Sequence, residues 1–173
     1  MKNRPDERLA EHFIDDLFSI LSLKNLHVHT RRAVLYKAIE DFSKVLLKNG
    51  QVHWSEAAQD QYKKGNLKGY FLEHPVPKNI ITKRITPADG AGPDGEQLRN
   101  DLIRAFTELM PICKILSGEN KRLNAAGLKT RIPGDPPWES IDPWARYKKV
   151  EIPIVSGYNS LIGSSVITNK SHT

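Results

Sequence analysis

Two short apolar runs, LKGYFL at residues 67–72 and ICKIL at 112–116, constrain this chain more than any other feature, because nearly all its other apolar residues recur at helical spacing. Each run is too brief for a helix, holds aromatic or β-branched residues, and is hemmed by Gly, Pro or Ser. Strands are therefore predicted at residues 67–73 and 112–116. Set among helices, they make the chain α+β and mainly helical.

The helical patterns are ordered along the sequence. Leu9, Phe13, Ile14, Leu17 and Leu21 share one face of a helix over residues 6–22. A second helix is capped by Thr30, carries Leu35, Ile39, Phe42 and Leu46, and stops at Asn49-Gly50, so the two should pack as a pair. Ser55 caps a short helix through Tyr62, and Gly65-Asn66 ends it. Leu98, Leu102, Ile103, Phe106 and Leu109 predict a helix over 96–110, closed by Pro111. Ser117 then opens a helix to Ala126, with Gly127 as its stop. From Ile132 the chain is rich in Pro and Trp and weakly periodic, as a wrapped segment would be, and residues 164–173 are polar enough to fray.

A chain of 173 residues with 39% apolar content supports one good core. The expected organisation is a helical scaffold at 1–66, a core at 67–131 with a helical insertion near 83–110, and the wrapped segment at 132–173. No apolar run is long enough to span a bilayer, the N-terminus is charged, and Cys113 is the sole cysteine. These features suggest a cytoplasmic protein without disulfides or membrane association.

The net charge is +6 and unevenly placed. Lys114, Lys121, Arg122, Lys129 and Arg131 face one acid, Glu119, between residues 113 and 131. With Lys78 they are candidates for phosphate contacts on a nucleic acid, the alternative being a solvated helix face and loop.

The pair Glu73-His74 stands at the end of the first predicted strand, followed by Pro75-Val76-Pro77. An imidazole can take a proton from water, and a neighbouring carboxylate is a hard oxygen ligand for Mg²⁺. Folding the two strands together would bring Asn120 or Glu119, in the first turn of the following helix, toward His74. Here the sequence resembles the HNH, or ββα-metal, endonucleases, over residues 67–127. Glu73-His74-Pro75-Val76-Pro77 is similar to that family's first-strand element, and Glu119-Asn120-Lys121-Arg122-Leu123 to its helix element. The resemblance implies an antiparallel two-stranded hairpin and a helix around one Mg²⁺ or Mn²⁺. It also implies His74 as the general base, and Glu73 and Asn120 as metal ligands, with Glu119 the other candidate on the helix. The middle Asn of the family motif has no clear counterpart; Asn79 and Asn100 are the available substitutes. The Cys-x-x-Cys pairs of many members are absent from the sequence.

The remaining features have plainer readings. His27-x-His29 reads as a turn before the second helix rather than a metal pair. Cys113 reads as a buried, inert thiol. Trp138, Trp144 and Tyr147, near Arg131, Arg146, Lys148 and Lys149, read as cover for the end of a core, with stacking on single-stranded nucleic acid as the alternative. The function these readings imply is hydrolysis of DNA phosphodiester bonds, with RNA served by the same residues, in a setting such as bacterial defence or restriction. The competing reading is a non-catalytic helical module that binds nucleic acid or protein as a regulator or complex subunit, its Glu-His pair incidental.

Overall fold

Residues with three- and four-residue apolar spacing form α1 (Pro5–Leu21) and α2 (Val28–Lys48), and a computed structural model describes the chain over residues 5–155 apart from 67, 89 and 91. The predicted fray at 164–173 lies outside the described residues. Helix α2 begins earlier than Thr30 suggests: His27 is the N-cap, its Nδ1 accepting from the His29 amide at 3.3 Å. The helix ends as its sequence suggests. Gly50 adopts φ +71°, and the Gln51 amide bonds the Leu46 carbonyl at 2.8 Å.

The larger core lies between α1, α2, α4 (Lys78–Ile85), α5 (Gly95–Arg104) and a π-helical turn at Ala105–Leu109. Phe13, Phe42 and Phe106 meet there with ring centroids 5.1–5.6 Å apart. Residues 83–110, the predicted helical insertion, lie between the two predicted strands and also build the core. They supply Ile85, Leu98, Leu102 and Leu109 to the main core. No helix is predicted at residues 78–85, although the spacing of Ile81 and Ile85 after Pro77 fits one.

Among the described residues the sheet has four strands rather than two: β1 (Val52–Ser55), β2 (Tyr70–Glu73), β3 (Ile112–Leu116) and β4 (Ile154–Val155), in the order β2-β3-β1-β4. Strands β2 and β3 are antiparallel neighbours, with Tyr70 opposite Leu116 and Glu73 opposite Cys113. No tight hairpin joins them, because α4, α5 and the π turn intervene. Strand β3 also pairs in parallel with β1, and β1 pairs antiparallel with β4. The segment predicted as a purely helical scaffold therefore contributes a strand, and the C-terminal segment another.

Strand alternation gives the sheet two faces. Trp54, Tyr70 and Lys114 share the first, where Tyr62 of α3 (Glu56–Lys63) packs on Trp54. Cys113, Ile115 and Glu73 share the second. There Leu123 of α6 (Ser117–Ala125) and Tyr147 of α7 (Ala145–Lys149) complete a smaller core with Cys113, Ile115, Leu128 and Ile152. Gly127, at φ +71°, ends α6 and lets the Leu128 amide reach the Leu123 carbonyl at 2.9 Å, pairing two leucines of that core.

Ser55 ties strand, helix and sheet together. Its hydroxyl accepts from the Ala58 amide at the start of α3 and donates to Glu119 Oε2 at 2.6 Å. Ser55→Ala removes a cap and leaves a buried carboxylate one donor short, so it is expected to cost about 1–2 kcal/mol of unfolding free energy. A urea unfolding midpoint identical to that of the unaltered chain would show that this connection carries no weight.

Candidate functional site

At the end of β2, consecutive side chains leave the strand on opposite sides. Glu73 projects to the second face of the sheet, where α6 and α7 lie. The ring of His74 turns the other way, and its Nε2 sits 3.3 Å from Ser43 Oγ on α2. Burial, and secondarily the ammonium of Lys78, holds the imidazole pKa down to about 4, so the ring is neutral at pH 7. Its Nδ1 is buried and has no hydrogen-bond partner among the described residues.

The backbone of this turn is held by Arg146, which is 1% exposed. Its Nη1 donates to the His74 carbonyl at 2.8 Å and the Pro75 carbonyl at 3.2 Å, and lies 3.3 Å from Glu73 Oε2. Arg146 is therefore no surface clamp for nucleic acid. It is an internal support brought in by α7, while Trp138 and Tyr147 are buried as core cover. Desolvation raises the Tyr147 hydroxyl well above its usual range, and it pushes the buried Cys113 thiol up too, as an inert cysteine requires.

Helix α6 follows β3 without a break and packs on the strand pair, Leu123 joining Cys113 and Ile115 in the smaller core. Glu119 is spoken for. It is 5% exposed, and its Oε2 accepts from both Ser55 Oγ and the Leu116 amide, the latter at 2.7 Å. Glu119, rather than Asn120, thus satisfies the start of the helix, and it is unsuited to metal ligation. Of the two helix candidates Asn120 remains. Asn120 is half-buried in the first turn of α6, which begins beside Leu116 at the Tyr70 end of the ladder, three residue pairs from Glu73, and no hydrogen bond joins it to Glu73 or His74 among the described residues.

The predicted basic residues do not form one surface. Lys121, Lys129 and Arg131 are exposed, as is Arg122, whose Nη1 donates to the Val150 carbonyl at 3.3 Å. Lys78 is half-buried at the start of α4. Lys114 lies on the first sheet face, its Nζ 4.5 Å above the Trp54 ring, and so is engaged in a cation–π contact away from α6. An open groove of about 650 Å³ runs between α3 and the start of α6, lined by Lys68, Ser117, Glu119 and Arg122 among others. It sits at the Tyr70 end of the ladder, three residue pairs from Glu73.

No family model, curated protein or solved structure matches this chain. Its site has to be read from its own atoms. Neither substitute for the family's middle Asn stands at His74: Asn79 donates to the Thr130 carbonyl, and Asn100 is exposed on α5. The group against the ring is Ser43, which sequence reading missed because nothing local separates it from any serine inside an apolar helix face. Among the described residues, no cluster of three or more His, Cys, Asp or Glu converges on a cation position. Glu73 shares its carboxylate with Arg146, and His74, next in sequence, keeps a partnerless Nδ1 on the other side of the strand. Among the described residues, no helix is long and apolar enough to cross a membrane.

Proposed function

We propose that this chain is a metal-dependent endonuclease of HNH type that hydrolyses DNA phosphodiester bonds, RNA being the other substrate its residues would accept. The observation that supports the reading is the antiparallel β2–β3 pair with α6 following β3 directly and packing on it, and Glu73 at the end of β2 on the helix-covered face. That is the order of parts the sequence resemblance implies for a ββα-metal core. The four-stranded sheet and the helices between β2 and β3 would be this chain's own scaffold for it.

In this reading His74 accepts the proton of the attacking water at Nδ1, the nitrogen free of any partner, and returns it to solvent. A cation held by Glu73 and Asn120 would supply Lewis-acid stabilisation to the charge that develops on the phosphate and the leaving oxygen. Arg146 shares Glu73 and fixes the turn, so both functional side chains start from a rigid backbone. Nδ1 is shielded in the free protein, so side chains over the ring, rather than the backbone that Arg146 holds, must move aside for water to reach it. Lys121, Arg122, Lys129 and Arg131 are exposed and supply phosphate contacts.

The shielded ring and the Arg146–Glu73 ion pair favour one other reading, a non-catalytic nucleic-acid-binding module in which both groups are structural. A plasmid-nicking assay separates the two. With Mg²⁺ or Mn²⁺ the protein is expected to nick DNA, EDTA is expected to abolish nicking, and Asn120→Ala to slow it at least about tenfold while raising the metal concentration required. Retention of DNA in a salt-dependent manner, with no cleavage under any divalent ion, would replace the nuclease with the binding module.

A further inference from the structure

Ser43 is buried in α2, with its hydroxyl 2.6 Å from the Ile39 carbonyl one turn back and 3.3 Å from His74 Nε2. A serine has one proton to donate, and the shorter contact, to an oxygen that can only accept, takes it. The hydroxyl oxygen therefore meets Nε2 as an acceptor, and Nε2 must carry the ring proton. Nδ1 then keeps its lone pair, consistent with its lack of any partner among the described residues. The backbone on which the ring pivots is held from another direction, by Arg146 on the His74 carbonyl.

We infer that Ser43 is a positioning residue for His74: the relay from Nε2–H to Oγ–H to the Ile39 carbonyl fixes the ring's orientation and its tautomer, leaving Nδ1 unprotonated as the proton acceptor. The inference rests on the proposed role of His74 as base. Loss of the relay frees the ring to rotate and exchange tautomers, which lowers the fraction ready to react without changing how substrate is held.

The test uses the full chain, ¹⁵N-labelled at histidine, with His74→Gln identifying the resonance among the six histidines. Thr and Val have nearly the same shape, so Ser43→Thr and Ser43→Val separate the hydroxyl from the volume. In the unaltered protein and in Ser43→Thr, the His74 ring is expected to show a slowly exchanging proton on Nε2 and a bare Nδ1. In Ser43→Val that Nε2 proton resonance is expected to vanish into exchange, with kcat for nicking down about tenfold and KM unchanged. A proton found on Nδ1, or an Nε2 resonance that persists in Ser43→Val, would overturn the inference. The expected ring signature in a protein that nicks nothing under any cation would support the hold of Ser43 on His74 and overturn the nuclease reading instead.

Discussion

Arg146→Ala is expected to destabilise the fold by about 3–5 kcal/mol, the largest stability loss of any single substitution considered for this turn. Three terms enter, and they differ in size. The ion pair itself is a minor one, because Glu73 is 22% exposed at its side chain and can rehydrate once the guanidinium is gone. The carbonyls of His74 and Pro75 weigh more, since both lose their donor in a buried turn, at about 1–3 kcal/mol each when left unsatisfied. The void left by a side chain that is 1% exposed adds to that. Arg146→Lys keeps the charge and one donor and is expected to lose about half as much. Urea unfolding monitored by tryptophan fluorescence measures both. A loss under about 1 kcal/mol for the alanine variant would mean that the Glu73–Pro75 turn is held by Pro75, Val76 and Pro77 packing alone.

On the proposed nuclease function, His74→Ala is expected to lower the nicking rate by about 10²- to 10⁴-fold, the usual contribution of a positioned base, with the loss in kcat. The same substitution is expected to alter how stability responds to acid. Burial sets the folded pKa of His74 at about 4 against 6.5 for the free side chain. Between those values the unfolded chain binds the proton and the folded chain does not, so stability rises with pH across the window. The contribution is complete above pH 6.5 and is lost as pH falls toward 4, by at most about 3 kcal/mol. His53 acts in the same direction, its pKa also depressed by burial, so the difference between the unaltered chain and His74→Ala isolates the His74 share. Parallel stability curves for the two proteins from pH 7 to pH 4 would show that the ring is not enclosed as described. Nicking that survives the substitution at full rate would remove His74 from the chemistry.

How much of this was legible differed from element to element. The strand at 112–116 and the helix that follows were readable because their ends are marked by Pro111, Ser117 and Gly127, and their apolar residues fall in clean patterns. Strand β1 was not, since Val52, His53, Trp54 and Ser55 include a single aliphatic residue and acquire their meaning by pairing with residues 112–114. Strand β4 has two residues and no pattern of its own. For the site, the sequence put Glu73 and His74 at a strand end, where the structure has them. It could not say that one turns to α6 and the other to Ser43. That outcome depends on partners at separations of 31 residues for Ser43 and 72 for the Arg146 contact to the His74 carbonyl. The choice between Glu119 and Asn120 was equally hidden, because it turns on a hydroxyl 64 residues away.

The placement of β3 between β2 and a parallel β1 has a consequence for the order of assembly. A chain emerging from the ribosome can fold its helical pair early, but β1 finds a neighbour only once residues 112–114 appear, and β4 at residues 154–155 closes the far edge last. Until then the growing chain carries unpaired strand edges, among them β2 with Phe71 and Leu72 about half exposed even in the finished protein. The stretch of synthesis between residue 73 and the appearance of residues 112–116 is thus the interval in which the most strand edge stands unpaired.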